Sequence, residues 1–151
     1  MADIQNPWDM AEKAVFERLL VATGSVEGKN AFRGMLPPYG NAWSFKMGGG
    51  GNERNTWGGV ATELKMDADI EAIFHDRNDA QIFGLKVVRA LPIRRIANVQ
   101  TCELRPGGMP DVRIFEVELK GERQPRMMWS CPIGLDVVFN LTDRPNVAPS
   151  A

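Results

Sequence analysis

The stretch "GVATELKMDADIEAIFH", residues 59–75, decides the fold. Read with a period of two, Val60, Thr62, Leu64, Met66, Ala68, Ile70, Ala72 and Phe74 share one face. Glu63, Lys65, Asp67, Asp69, Glu71 and His75 share the other, and only Ala61 and Ile73 break the polarity. A helix would mix the two sets, whereas a pleated strand separates them. The spacing predicts one long strand over 59–75, bent and buried on one face. The rival is a short helix beginning near Asp67, because "DADIEAIF" also tolerates helix.

Elements fall on either side of this strand. Upstream, Asn6 suits an N-cap, Pro7 the first helical position and Asp9 the positive helix end. Trp8, Ala11, Val15, Leu19 and Ala22 recur at helical spacing, Phe16 and Leu20 widen the stripe, and Gly24 is a natural stop. A helix over 7–23 follows. Residues 25–42 are punctuated by Gly28, Gly34, Pro37, Pro38 and Gly40 and read as irregular. Trp43–Met47 alternates as a short strand. Downstream, Asp76 or Asn78 caps a second helix whose stripe is Ala80, Phe83, Val87 and Leu91, ended by Pro92. Three strands are then expected: 96–104, 111–120 and 127–141. In the last, Trp129, Cys131, Ile133, Leu135, Val137, Phe139 and Leu141 face one way, and Pro132 argues for an edge or a bulge near its start. Short connections favour antiparallel pairing. The expected architecture is α+β: a twisted, mostly antiparallel sheet with two helices on one face. It forms a single domain over 1–141, followed by an extended proline-rich tail over 142–151.

The 151 residues are 44% apolar and 25% charged, enough for a buried core without a disulfide or metal. A net charge of -1 encodes no strong overall pull toward nucleic acid or anionic membrane. No apolar run approaches the roughly 18 residues of a membrane span. Met1–Gln5, acidic and polar, does not read as a secretory signal. Cys102 and Cys131 lack C-x-x-C spacing and read as two reduced thiols in or near the core, although a bridge between neighbouring strands stays open.

The search for chemistry starts at "KMGGGGNERNTWGG", residues 46–59. A phosphate loop needs Lys-Ser or Lys-Thr leading into a helix, so that backbone N–H groups and the helix terminus bind the anion. Neither follows Gly51, and the next element is a strand. The glycines instead read as a mobile β-hairpin arm, with Asn52, Arg54 and Trp57 as the residues suited to touch a partner. Asp111 and Glu118 echo a metal-nuclease pattern, but seven strand residues put them roughly 23 Å apart and on opposite faces. Asp67, Asp69 and Glu71 line up at period two, so a small metal-dependent enzyme using them is the alternative from another class. Charged outward strand faces are common and discourage edge pairing, so a solvated face is the preferred reading of the three. His75, the single histidine, has no Ser or Cys tied to it by sequence. The basic turns at Arg94–Arg95 and Arg123–Arg126 lack the interleaved exposed aromatics of an RNA-binding sheet. No catalytic residue, metal ligand or cofactor site is expected.

The arrangement resembles the tail-terminator family of long-tailed bacteriophages and, more loosely, related minor tail and neck proteins. The resemblance rests on chain size, an N-terminal helix before a hairpin with a glycine-rich tip at 47–59, and a strand running into "FHDRNDAQIFGLKVVRAL". It ends in a strand of the form "MMWSCPIGLDVVFN". It spans nearly the whole chain, apart from 25–42 and the tail. It implies a structural virion protein that assembles with itself as a ring, usually of six subunits, on the head-proximal end of the tail tube. Such a ring stops tube polymerisation, meets the head connector or neck proteins, and lets DNA pass through its lumen.

Overall fold

The computed structural model describes residues 6–35, 40–48, 52–57, 60–118, 121 and 123–141, with no account of the side chains at 52–57, 60 and 61. The tail at 142–151 and the glycines at 49–51, 58 and 59 lie outside the described residues. The elements are α1 (Pro7–Thr23), β1 (Ala31–Arg33), β2 (Ala42–Met47), β3 (Asn52–Trp57), β4 (Val60–Phe74) and α2 (Arg77–Ala90). They continue with β5 (Ile93–Ile96), β6 (Val99–Leu104), β7 (Arg113–Val117), β8 (Arg126–Ser130) and β9 (Ile133–Asn140). The fold is α+β, with two helices against a mostly antiparallel sheet; β1–β2 is the parallel pair.

The long strand is the axis of the sheet, and it does not turn helical at Asp67. One side of β4 pairs with β2 over 68–73 and with β3 over 60–65. Its other side pairs with β9 over 63–70 and with β8 at 73–74. Beyond these lie β6 against β9, β5 against β6 and β7 against β8. The even-numbered face of β4 is the buried one. Met66, Ala68, Ile70 and Ala72 join Trp43, Phe45 and Met47 of β2 and Ile133, Leu135, Val137 and Phe139 of β9. Ala11, Val15, Phe16 and Leu19 of α1 and Ala80, Phe83 and Val87 of α2 cover them. Both helices begin as their sequences dictate. The Asn6 side chain accepts from the Asp9 N–H, and the Asp76 side chain accepts from the Asn78 N–H. α1 ends at Gly24, whose φ of 67° is the left-handed stop.

Four details differ from the expectation. Residues 31–33, read as irregular, form β1, a strand too short to show periodicity and held by its pairing with β2. The strand expected at 96–104 is a hairpin, β5–β6, turned by non-glycine residues at positive φ, Arg95 (55°) and Ala97 (47°), so no glycine marks it. Asn52–Trp57, expected within a mobile tip, form β3 along β4. The strand expected at 111–120 is shorter, Arg113–Val117. The last expected strand is drawn as β8 and β9, yet both hold one register along β4: Ile73 opposite Ser130, Ile70 opposite Ile133. Pro132 interrupts it without a slip. The Cys131 N–H reaches the Ala72 carbonyl at 3.0 Å, so the backbone of Pro132 turns away from β4, where its missing N–H costs no bond in that ladder. β9 lies between β4 and β6, and Asp136 and Val138 on its other face are buried as well.

Candidate functional site

Two regions follow from this framework: the sheet face turned away from the helices, and the sheet edges. On that face Asp67, Asp69 and Glu71 occupy alternate positions of β4, as their spacing dictates. Arg105, at the end of β6, reaches both aspartates, with Nη2 3.1 Å from Asp69 and Nη1 3.7 Å from Asp67. Glu71 has no place in that clamp. The register adds a feature that single-strand reading misses. Asp67 lies opposite Asp136, and Asp136 opposite Glu103, so three carboxylates sit side by side on three strands. Like charges directly opposite are unfavourable. Arg105 offsets one end of the row, and Lys65, 3.5 Å from Asp136, offsets the middle. Among the described residues no three His, Cys, Asp or Glu side chains converge as a metal site would require. Asp111 is taken up by Arg113 at 2.5 Å, and His75 stands exposed with its backbone N–H on the Asn41 side chain.

The edges differ sharply from one another. Along the outer side of β2, the Trp43 N–H goes to the Asn30 carbonyl and the Phe45 carbonyl accepts from Gly34. Past the end of β1, side chains of α1 take over. Glu12 accepts the Met47 N–H at 3.0 Å, and the Trp8 indole donates to the Met47 carbonyl at 3.2 Å. Arg33 holds Glu12 in place at 3.1 Å and also pairs with Asp9. Burial opposes the charge on Arg33, but the two carboxylates outweigh it and raise its pKa above the ordinary value. The β2 edge is therefore closed to any added strand.

At two other corners, among the described residues, the edge strands are unpaired on their outer side. β3 pairs, among the described residues, with β4 alone: Asn52 lies opposite Lys65, Arg54 opposite Glu63 and Trp57 opposite Val60. Among the described residues β7 pairs with β8 alone. Asn52, Arg54 and Trp57 thus share one edge strand, where Asn52 and Arg54 lie in register with Lys65 and Glu63 of the odd-numbered positions of β4, and Trp57 with Val60 of the even-numbered ones.

Neither thiol belongs to these regions. Cys102 and Cys131 are free and fully buried. Burial pushes Cys102 up to about 12, helped by Glu103 and Asp136, and pushes Cys131 up to about 11, helped by Asp111. The unfolded thiols ionise first, near 9.0, so their contribution to stability is complete below that pH and falls as pH rises toward 11–12. Between pH 8 and pH 10 each thiol should cost the fold on the order of 1 kcal/mol. Urea melts at the two pH values check this, and Cys102→Ala should remove roughly half of the thiol-dependent loss. An unchanged pH slope in that variant would show that Cys102 contributes none of it.

Among the described residues no helix is long and apolar enough to cross a membrane. No protein-family model matches the chain, and no curated protein matches it.

Proposed function

We propose that this chain is a structural virion protein, a ring-forming subunit of the tail-terminator kind. The ring, of about six copies as the family resemblance implies, sits on the head-proximal end of the tail tube. There it halts tube polymerisation and offers its other side to the connector or neck proteins. It assembles in the host cytoplasm and passes DNA through its lumen without specific binding. No catalytic group is assigned.

One observation supports this reading most directly. Among the described residues, two edge strands unpaired on their outer side, β3 and β7, stand at diagonally opposite corners of the sheet. β3 flanks the start of β4 on one side, and β7–β8 flanks its end on the other. Two different open edges on one subunit suit a head-to-tail contact, and a rotational operator closes such contacts into a ring. The near-neutral charge accords with a lumen that does not hold DNA.

The test is the mass of the purified protein, by light scattering, alone and with tail tube protein, together with negative-stain images. The expected result is an annulus several times the 16.8 kDa of one chain, and tubes that stop growing when it is added. A monomer under both conditions, stabilised by a divalent cation in a thermal melt, would overturn it in favour of a metal-dependent activity. Asn52, Arg54 and Trp57 are assigned to partner contact on β3. Arg54→Ala and Trp57→Ala should each weaken assembly about tenfold while leaving the melt unchanged, since Trp and Arg dominate such contacts. Equal assembly by both variants would remove these residues from the interface.

A further inference from the structure

We infer that β7 is the edge that receives an added strand, and that the strand is β3 of a second copy of this chain. The inference rests on the ring reading above and names the contact that would build it.

Four edges can be compared. The β2 edge has its outward groups taken by β1, its flanking residues, Glu12 and Trp8. β1 itself is three residues long, and residues 27–28 fold back against it through Gly28 and the Glu27–Ala31 bridge. β5 is four residues long, carries the exposed Arg94–Arg95 pair, and is twisted off by positive φ at Arg95 and Ala97. Short length, charge and local kinks are the devices that keep strands from being added. β7 also carries charge, the exposed Arg113 and Glu116, but it is five residues long, pairs regularly with β8 throughout, and has no side chain bonded to its outer backbone groups among the described residues.

The register tells which groups those are. Because the Cys131 N–H points at β4, the backbone of Ser130 points at β7. Ser130 pairs with Arg113, Met128 with Phe115 and Arg126 with Val117, so these residues exchange bonds within the hairpin. The N–H and carbonyl of Ile114 and Glu116 then face outward. Beside them, on one face, stand two exposed apolar side chains, Ile114 (51% exposed) and Met127 (47%). An unsatisfied backbone row with apolar side chains next to it is what strand addition uses: the backbone gives affinity and the side chains give selectivity.

The occupant follows from the opposite corner. The Gly48 N–H bonds to the Asp67 carbonyl, so odd residues of β4 turn toward the β2–β3 side. Lys65 and Glu63 are opposite Asn52 and Arg54, which therefore bond inward, leaving the backbone of Glu53 and Asn55 facing out. β3 is six residues and β7 five, two open edges of matching length on one chain. A second copy brings the missing half of each. One copy cannot join its own two corners, because they lie on opposite sides and at opposite ends of β4.

The experiment uses the full chain. Ile114→Pro and Glu116→Pro each delete an outward N–H and no bond of the β7–β8 hairpin. Ile114→Lys keeps the N–H and charges the edge, and serves where a proline variant fails to fold. Light scattering across a dilution series should show assembly at least about tenfold weaker for all three, with thermal melts at low concentration unchanged. In the assembled wild type, amide exchange at Ile114, Glu116, Glu53 and Asn55 should slow together relative to dilute monomer. Wild-type rings that persist unchanged in folded variants, with fast exchange at Ile114 and Glu116, overturn the edge assignment and leave the ring reading standing. A wild type that never assembles overturns both. Protection that needs added tail tube protein overturns the second copy as occupant.

Discussion

Trp43→Ala should destabilise the protein by about 4 kcal/mol, the largest loss expected from any single truncation in this core. Trp43 is 2% exposed and sits where β2, α1 and α2 meet. Its ring lies 5.4 Å from Phe16 on α1 and 5.7 Å from Phe83 on α2, and Phe83 in turn lies 5.3 Å from Phe74 at the end of β4. Truncation opens a cavity that three elements border. They cannot collapse into it together, because each is fixed by other contacts. The indole also anchors a polar chain. Its N–H donates to Ser25 Oγ at 2.8 Å, Ser25 meets Thr23 Oγ1 at 2.8 Å, and Thr23 donates to the Leu19 carbonyl at 2.7 Å. Removing the donor loosens the C-terminal turn of α1 as well as the core. For a chain of this length the loss corresponds to a melting temperature lower by about 8–16 °C. Trp43→Phe should lose less than half as much, since it keeps most of the packing. A calorimetric loss below about 1 kcal/mol for the alanine variant would mean that the aromatic cluster does not tie the helices to the sheet.

That cluster also shows what sequence alone conveys. Trp43, Phe16, Phe83 and Phe74 each fell on an apolar face predicted from periodicity, because burial of a strand or helix face is a local pattern. The seventeen residues of α1 were legible from end to end, since cap, proline and stop glycine all sit within the segment that they define. What local pattern does not carry is pairing. β1 exists because β2 offers a partner, and the β5–β6 turn uses Arg95 and Ala97 in a conformation that L-residues rarely adopt. The same holds for the sites. The line of Asp67, Asp69 and Glu71 was visible on one strand. The row Asp67–Asp136–Glu103 runs across three strands and needs the register. The closure of the β2 edge by Glu12 and Trp8 spans more than thirty residues of chain, and no spacing rule announces it.

Gly108→Ala should cost about 3 kcal/mol, whereas Gly134→Ala should cost less than about 1 kcal/mol, although the two glycines touch each other. A Cβ built on Gly108 would stand 2.3 Å from the Gly134 carbonyl oxygen and 2.8 Å from its carbon. Those are backbone atoms of the central strand β9 and have nowhere to go. The approach is fixed from both sides: the Gly134 N–H donates to the Gly108 carbonyl at 2.9 Å, and the Arg105 N–H to the Gly134 carbonyl at 3.0 Å. To admit a methyl group, the 105–110 loop must lift off β9 and give up both bonds. At Gly134 the new Cβ would meet Arg105 Nη2 at 2.6 Å and Cζ at 3.0 Å, the far end of a flexible side chain. That guanidinium swings away, and the price is its pairing with Asp67 and Asp69, partly exposed ion pairs that contribute little. Urea melts of the two variants at one pH decide the matter. Equal losses at both positions would mean that the loop yields as easily as the arginine does, and that the contact between Gly108 and Gly134 does not hold the loop on the sheet.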